Sequence, residues 1–410
     1  MTKWKIVAAA AVCVLAAGGC GSPGAVADDS AAPLSLTIWV DDKRAPAVRE
    51  AADRFAAESG ISVVTDVVAK DLQTSFVTAA QAGKGPDLVL GAHDWIGNLV
   101  QNGVIDPLQM TDAARARFDP LAIKGVTFDG QLYGVPFAVA NVVLIRNTEL
   151  APEAPKTIEE LVATGTELKK AGRVSEIMDL PQGAVGDAYH LYPLFTSGGG
   201  YLFGRDADGN YDPGDFGLAK PEAARAFTKI AQLGEKGAGA LKRSISNENA
   251  VGLFTGRKTA FLLSGPWQFA EINKAGIPYD VTPIPGFAGG KPARPFVTVD
   301  ALYVASGAKN KLLAQEFATN YFTRTDTAVA LYRTDPRPPA LIEALNQVKG
   351  GDPTLEKVLA AGRQGDIMPA IPAMASVWDP LGKAGAAVIG GAPPGSTVAA
   401  AASAIEAQIK

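Results

Sequence analysis

Apolar and polar residues alternate along Leu34-Ser-Leu-Thr-Ile-Trp-Val40, the two-residue period of a half-buried strand. Directly after it, Val48, Ala52, Phe55 and Ala56 recur at helical spacing until Gly60. The pattern then repeats. Ile61 to Val68 predicts a second strand, Asp71 stands where it caps a helix carrying Leu72, Phe76, Val77 and Ala80, and Pro86 to Leu90 predicts a short buried strand. Strands alternating with helices imply an α/β fold with a largely parallel sheet. In such sheets ligands sit outside the carboxyl ends of the strands. The candidate site loops are therefore Asp41-Asp42-Lys43 after the first strand and Ala92-His93-Asp94-Trp95 after the third.

Further along, Phe137 to Arg146 reads as another apolar strand, followed by a Pro-rich joint and a helix that Thr157 and Glu160 cap as a box. A turn is expected at Asp206 to Asn210, and a helix over Pro221 to Gly234 with Ala223, Ala226, Phe227 and Ile230 on one face. Helices over Asn310 to Phe322 and Ser396 to Ile409 flank a Pro-rich loop at Asp335-Pro-Arg-Pro-Pro339. The chain has no repeat and no low-complexity tract.

The first residues break this pattern. Lys3 and Lys5 precede an apolar run from Ile6 to Ala17, and Gly18 and Gly19 supply small residues before Cys20. This is the layout of an export signal over residues 1–19, with an apolar run too short to span a bilayer. Leu15-Ala-Ala-Gly-Gly-Cys20 resembles a slightly stretched lipoprotein lipobox, which implies acylation of Cys20 and a lipid-anchored, extracytoplasmic protein. Residues 20–32 are small, polar and Pro-containing, as in a flexible linker.

Without the leader, 391 of the 410 residues remain, too many for one compact core and suited to two domains. The formal charge of −4 becomes about −6 once the two leader lysines go, and no basic cluster interrupts the chain, which argues against nucleic acid as a partner. The two cysteines, Cys13 and Cys20, both lie at the front, so the body has no disulfide framework.

Enzyme chemistry finds few parts. His93 and His190 are the only histidines, no cysteine is free for a metal, and no Ser sits in a G-x-S-x-G turn. Gly252 to Thr259 imitates a phosphate loop, with Arg257 where the motif needs Lys and a spacing one residue short. A glycoside hydrolase, which needs two carboxylates at set separations, is the best enzymatic alternative, yet no pair stands out. A surface lipoprotein scaffold would explain the anchor but not aromatics at loop ends.

Landmarks along the body carry a family resemblance: Leu36-Thr-Ile-Trp-Val40 with Asp42-Lys43, Gly85-Pro-Asp87 before Ala92-His-Asp94, Tyr133-Gly-Val-Pro136, Gly199-Gly-Tyr201, Ser264-Gly-Pro-Trp267, and Ile367-Met-Pro-Ala-Ile-Pro-Ala-Met374 with Trp378. In this order the chain resembles the maltodextrin-binding-protein type of extracellular solute-binding protein that serves an ABC importer. The resemblance implies a two-lobe periplasmic-binding-protein fold, each lobe a mostly parallel sheet flanked by helices. Residues 33–139 plus 298–347 would form the first lobe and 143–296 plus 352–410 the second. An oligosaccharide would bind in the cleft between them, with no cofactor, no metal and no catalysis, and a monomer would deliver it to the permease. Closure around the sugar would be what the permease reads. The Gly- and Ala-rich composition suggests a GC-rich actinobacterial source.

By position, Asp42 and Lys43 would hydrogen-bond sugar hydroxyls and Asp94 would accept from a hydroxyl pair. Trp267, Trp378 and Tyr189 would stack on sugar rings. Where the family has Trp before the Ala-His-Asp run this chain has Gly91, and where it has Arg after the run this chain has Trp95, as if an aromatic had moved across the groove. Ala140, with Asn141 beside it, and Asp187 stand near expected glutamates, and Asp379 and Gly382 stand where a Tyr and an Arg would be. These departures leave maltose, longer α-linked glucans and acarbose-type pseudo-oligosaccharides equally compatible. Plainer roles are core packing for the tryptophans, turn or cap duty for Asp42 and Asp94, a structural His93, and solvent exposure for Arg337.

Overall fold

The computed structural model describes residues 34–409; the expected leader, Cys20 and the linker lie outside them. Three strand–helix units open the described chain. β1 (Ser35–Val40) pairs in parallel with β2 (Ser62–Val67) and with β3 (Leu88–Ala92). The helix between β1 and β2, Ala45–Ser59, buries Val48, Ala52 and Phe55 and ends at Gly60, whose φ of 72° only glycine adopts at little cost. Asp71 precedes the next helix, Leu72–Gln81, but its backbone is left-handed and its side chain makes no capping bond.

β4 (Thr127–Phe128) and β5 (Gln131–Leu132) form a small hairpin. The apolar run expected as one strand is two: β6 (Gly134–Asn141) and β7 (Val143–Asn147), separated by Val142 and belonging to different sheets. Both are wholly buried, so the sequence shows an unbroken apolar run with no mark of the crossing. β8 (Phe203–Arg205) and β9 (Tyr211–Phe216) form a second hairpin, turned by Asp206, which accepts from the N–H groups of Asp208 and Asn210. β10 (Phe261–Ser264), β11 (Tyr279–Thr282), β12 (Phe296–Val304) and the short β13 (Asp366–Ile367) follow.

Two sheets result. The first runs β13-β12-β3-β1-β2, with β6 on the other side of β12. The second is β10-β7-β11. The expectation of mostly parallel sheets holds for β1, β2 and β3 and for the short β13 beside β12, and fails for the remaining pairs of these sheets. β12 is antiparallel to both β3 and β6, and the whole second sheet is antiparallel. The physical reason is the route of the chain: β7 enters the second sheet as a direct continuation of β6, and β10 and β11 return along its two sides.

Each sheet has its own core, giving two lobes. The first core gathers Leu36, Phe55, Leu90, Val135 and Phe317; the second gathers Leu144, Phe195, Phe227, Phe261 and Ile389, with a satellite around Ile145, Phe254 and Phe269. Thr157 caps its helix as expected, its Oγ1 accepting from Glu160 N–H at 3.1 Å, but the Glu160 carboxylate reaches back one residue further than in a box, to Lys156 N–H. The helix expected over Asn310 to Phe322 is α-helical over Lys311–Glu316 and widens to a π turn over Phe317–Tyr321. Gly252 lies inside the helix Ala250–Thr255, so the imitation phosphate motif forms no loop. No helix among the described residues is long and apolar enough to cross a membrane.

Candidate functional site

The strand ends and crossings frame a cavity of about 430 Å³ between the lobes. Asp41 builds its first corner: Oδ1 accepts from Lys43 N–H and Arg44 N–H, both at 3.1 Å, and this turn presents Lys43 to the cavity. Asp42 in the same turn is exposed and outside the lining, because the turn that brings Lys43 in leaves its neighbour facing water.

Asp94 and Trp95 form the next corner, directly after β3. Ala92, also on the lining, ends β3, and His93 anchors the turn from behind, its Nδ1 accepting from Val299 N–H at 3.0 Å and its Nε2 donating to Met368 O at 3.0 Å. Burial pushes His93 down to about 4, so it is neutral and structural. The indole of Trp95 lies against Gly91, where any Cβ would collide with the ring. Glycine at 91 and tryptophan at 95 are thus one device: loss of the earlier side chain makes the space that the later indole fills.

The second lobe supplies aromatics from the starts of helices. Tyr189 is in the first turn of the helix Ala188–Ser197, Trp267 in the short turn Pro266–Gln268, and Trp378 opens the helix Trp378–Ile389. Trp267 rests on Gly265 as Trp95 rests on Gly91, and Tyr189 lies 6.1 Å from it between ring centroids. Phe296 backs the group, with Trp378 packed edge-on at 5.8 Å and Tyr192 stacked at 3.6 Å.

Polar links join the walls. Trp378 Nε1 donates to Asp94 Oδ2 at 3.1 Å, and Thr298 Oγ1 donates to Tyr189 Oη at 3.0 Å. Burial raises the Asp94 carboxyl to about 7, against the opposing effect of the Trp378 donor. Burial also raises the Tyr189 hydroxyl, which stays protonated.

Below the first-lobe wall lies a charge network missed by reading the sequence. Asp300 accepts from Arg337 Nη1 at 2.8 Å and sits 3.2 Å from Arg44 Nη2; Asp335 pairs with the same two arginines at 2.8 and 3.3 Å. Burial opposes the charge of Asp300, but Arg337 and Arg44 together hold its carboxyl below the usual range. Arg337, expected in solvent, lines the cavity with its guanidinium over the Trp267 ring, 5.2 Å from the centroid. The ladder of β12 and β6 slips at this place: Asp300 pairs with Ala138 and Ala301 with Pro136, leaving Phe137 over, and Arg44 lies above that ring. The overlooked signal was Thr298-Val-Asp300, polar at alternate positions within an apolar strand and therefore on one face. Gln73 and Met368 complete the lining.

Besides Asp42, three expected site residues are elsewhere. Asn141 is buried at the end of β6, its Nδ2 donating to Val142 O and its side chain close to Gly362. Asp187 is occupied as a helix cap, accepting from His190 N–H at 2.9 Å and pairing with His190 Nδ1 and Asn247 Nδ2, each at 2.8 Å. Asp379 is 72% exposed and pairs with Lys383 at 2.7 Å; one residue past Trp378 on a helix means about 100° of rotation away from the cavity.

A second cavity of about 330 Å³ lies between the β4–β5 and β8–β9 hairpins. Phe128 and Tyr211 are the aromatics in its lining, and the Tyr211 ring is covered by Arg205 at 4.1 Å. Among the described residues no group of three or more His, Cys, Asp or Glu is placed to hold a metal.

A two-lobe α/β protein with a cavity of carboxylates and indoles at the junction is a solute-binding protein in form. The family model described as "bacterial extracellular solute-binding protein" matches residues 50–357, and the chain belongs to that family of extracytoplasmic binding proteins, which are not enzymes. Among its relatives, a galactooligosaccharide-binding protein of Bacillus subtilis is 28% identical over 93% of this chain and 91% of its own. A maltotriose-binding protein of Pyrococcus abyssi is 29% identical over 75% of this chain and 66% of its own. A maltooligosaccharide ABC transporter solute-binding lipoprotein of Streptococcus pneumoniae (strain R6) is 25% identical over 88% and 86%.

Proposed function

We propose that the protein binds a malto-oligosaccharide or a related pseudo-oligosaccharide of the acarbose type between its lobes and delivers it, as a monomer, to an ABC permease. The observation that carries this reading is the pairing of Asp94 and Lys43 on one wall with Tyr189, Trp267 and Trp378 on the other, with Trp95 beside Asp94. Sugar rings present hydroxyl edges and C–H faces, and these walls offer charged acceptors and donors to the edges and aromatic planes to the faces. The names of the three relatives support the oligosaccharide class. In this reading residues 33–139 with 298–347 and residues 143–296 with 352–410 move as lobes about the crossings. Acylated Cys20 tethers the protein to the membrane through residues 20–32.

The first relative supports a galacto-oligosaccharide as the second reading. Isothermal titration of the protein lacking residues 1–32 against maltotriose, maltotetraose, acarbose and a galacto-oligosaccharide decides between them. The expected result is binding to an α-linked glucan at micromolar Kd or tighter, about −8 kcal/mol or better, with no product released. Preference for the galacto-oligosaccharide would select the second reading, and silence across the panel or release of monosaccharide would overturn both.

A further inference from the structure

Arg337 stands where a sugar would stack. Its guanidinium carbon lies over the Trp267 ring, 5.2 Å from the centroid, inside the range of a cation–π contact. A pyranose ring packed on an indole lies in the same layer, at van der Waals separation of about 3.5–4 Å between carbons. Guanidinium and sugar therefore compete for one face of Trp267. The rest of the indole has neighbours too: Gly265 lies against the six-membered ring, and His190 approaches edge-on at 5.9 Å.

The guanidinium is not a loose surface group that a ligand brushes aside. The loop Asp335 to Pro339 is stitched to β6, with Val139 N–H donating to Pro338 O at 2.9 Å and Ala340 N–H donating to Phe137 O at 3.0 Å. Pro336, Pro338 and Pro339 restrict its backbone further. Nη1 donates to Asp300 and Nε pairs with Asp335, each at 2.8 Å, and the side chain is 19% exposed. Arg44 approaches both carboxylates from the other side. Lifting Arg337 off Trp267 would strip a buried ion network of one of its two cations, which is strongly unfavourable.

We propose that Arg337 sets the chain length the cleft accepts: by holding the stacking position on Trp267 it closes the groove on that side, leaving the sugar rings to Trp95 and Trp378. This rests on the oligosaccharide reading above and adds to it a specificity-determining residue. Arg337 comes from the first lobe and Trp267 from the second, so the block is complete only when the lobes are together.

The test is a calorimetric ladder of α-1,4-linked glucans from two to seven units against wild type, Arg337→Ala, and the double variant Asp335→Asn/Arg337→Ala. The double variant removes one charge of each sign and leaves Arg44 on Asp300, so it keeps the test alive if the single variant fails to fold. The expected result is that wild-type affinity stops rising at one chain length, and that in the variants it rises for one further unit, at least fivefold relative to the shorter glucans. In the Arg337→Ala background, adding Trp267→Ala is expected to abolish the gain. An unchanged plateau with parallel losses along the whole ladder would overturn the proposal and leave Arg337 a structural ion. If wild type binds no glucan and a galacto-oligosaccharide ladder is equally silent, the oligosaccharide reading itself fails, and this inference with it.

Discussion

The two walls of the cleft are built from different chemistry. The first-lobe wall is charged: Lys43, Asp94, Asp300 and Arg337 are held at strand ends and in a Pro-rich loop by turns and ion pairs, with Trp95 the aromatic exception. The second-lobe wall is aromatic: Tyr189, Trp267 and Trp378 stand in the first turns of helical segments against the second core. A charged wall alone gives direction without apolar surface, and an aromatic wall alone gives surface without direction. A ligand that needs both gains most when the lobes are together, which couples binding to closure by differential affinity for the closed form. Direct contacts across the cleft, Trp378 to Asp94 and Thr298 to Tyr189, already satisfy these groups without a ligand.

This contrast is broken most severely at Trp378. Trp378→Ala removes stacking surface and the donor to Asp94, and is expected to weaken sugar binding by about 2–4 kcal/mol, roughly 30-fold to 1,000-fold by titration. Asp94→Asn comes next. It preserves an acceptor for Trp378 but loses the charge-assisted bonds, with an expected loss of about tenfold to 100-fold.

Asp94 also makes the charged wall pH-dependent. Hydroxyl donors favour its ionised form, so wild-type affinity should fall as pH drops below about 7, and Asp94→Asn should be flat. Stability has the opposite sign. The unfolded carboxyl ionises near its ordinary value of 3.8, while the folded one keeps its proton to about 7. The folded state thus binds more protons in that window, and unliganded stability should decline as pH rises through it. Thermal melts of wild type and Asp94→Asn between pH 4 and 8 check this; equal slopes would refute it.

Gly91→Ala sharpens the comparison from within the charged wall. Its Cβ displaces the Trp95 indole and should cost roughly three- to tenfold in affinity, with a red shift in tryptophan emission as the ring moves into water. The smallest effect belongs to Asp379→Asn. Its exposed pair with Lys383 is worth about 0–1 kcal/mol or less in stability, and binding should change by less than twofold.

The legible part of the site was the part carried by short stretches. Lys43, Asp94 and Trp95 follow strand ends whose local pattern was visible, and Trp267 and Trp378 were placed by the family resemblance of Ser264-Gly-Pro-Trp267 and of the run from Ile367 to Trp378. Tyr189 was legible by position as well, whereas Asp187 was misread because a carboxylate before a helix can face a ligand or cap the helix, and His190 took it for the cap. Asn141 was misread because nothing in an unbroken apolar run shows that a strand leaves one sheet for another. Arg337 was dismissed because a loop arginine in sequence carries no sign of Asp300, 37 positions away, or of Trp267 on the other lobe.

The sequence by itself determined the strand–helix units, the cap at Thr157 and the left-handed end at Gly60, because these depend on neighbours within a few residues. It also carried the family and most of the cleft residues. Only the tertiary structure decided strand direction in the second lobe, the burial that moves Asp94 to about 7, and the seat of Arg337 on Trp267. Pairing direction, desolvation and cation–π contact belong to surfaces brought together from distant parts of the chain, and no local pattern of residues contains them.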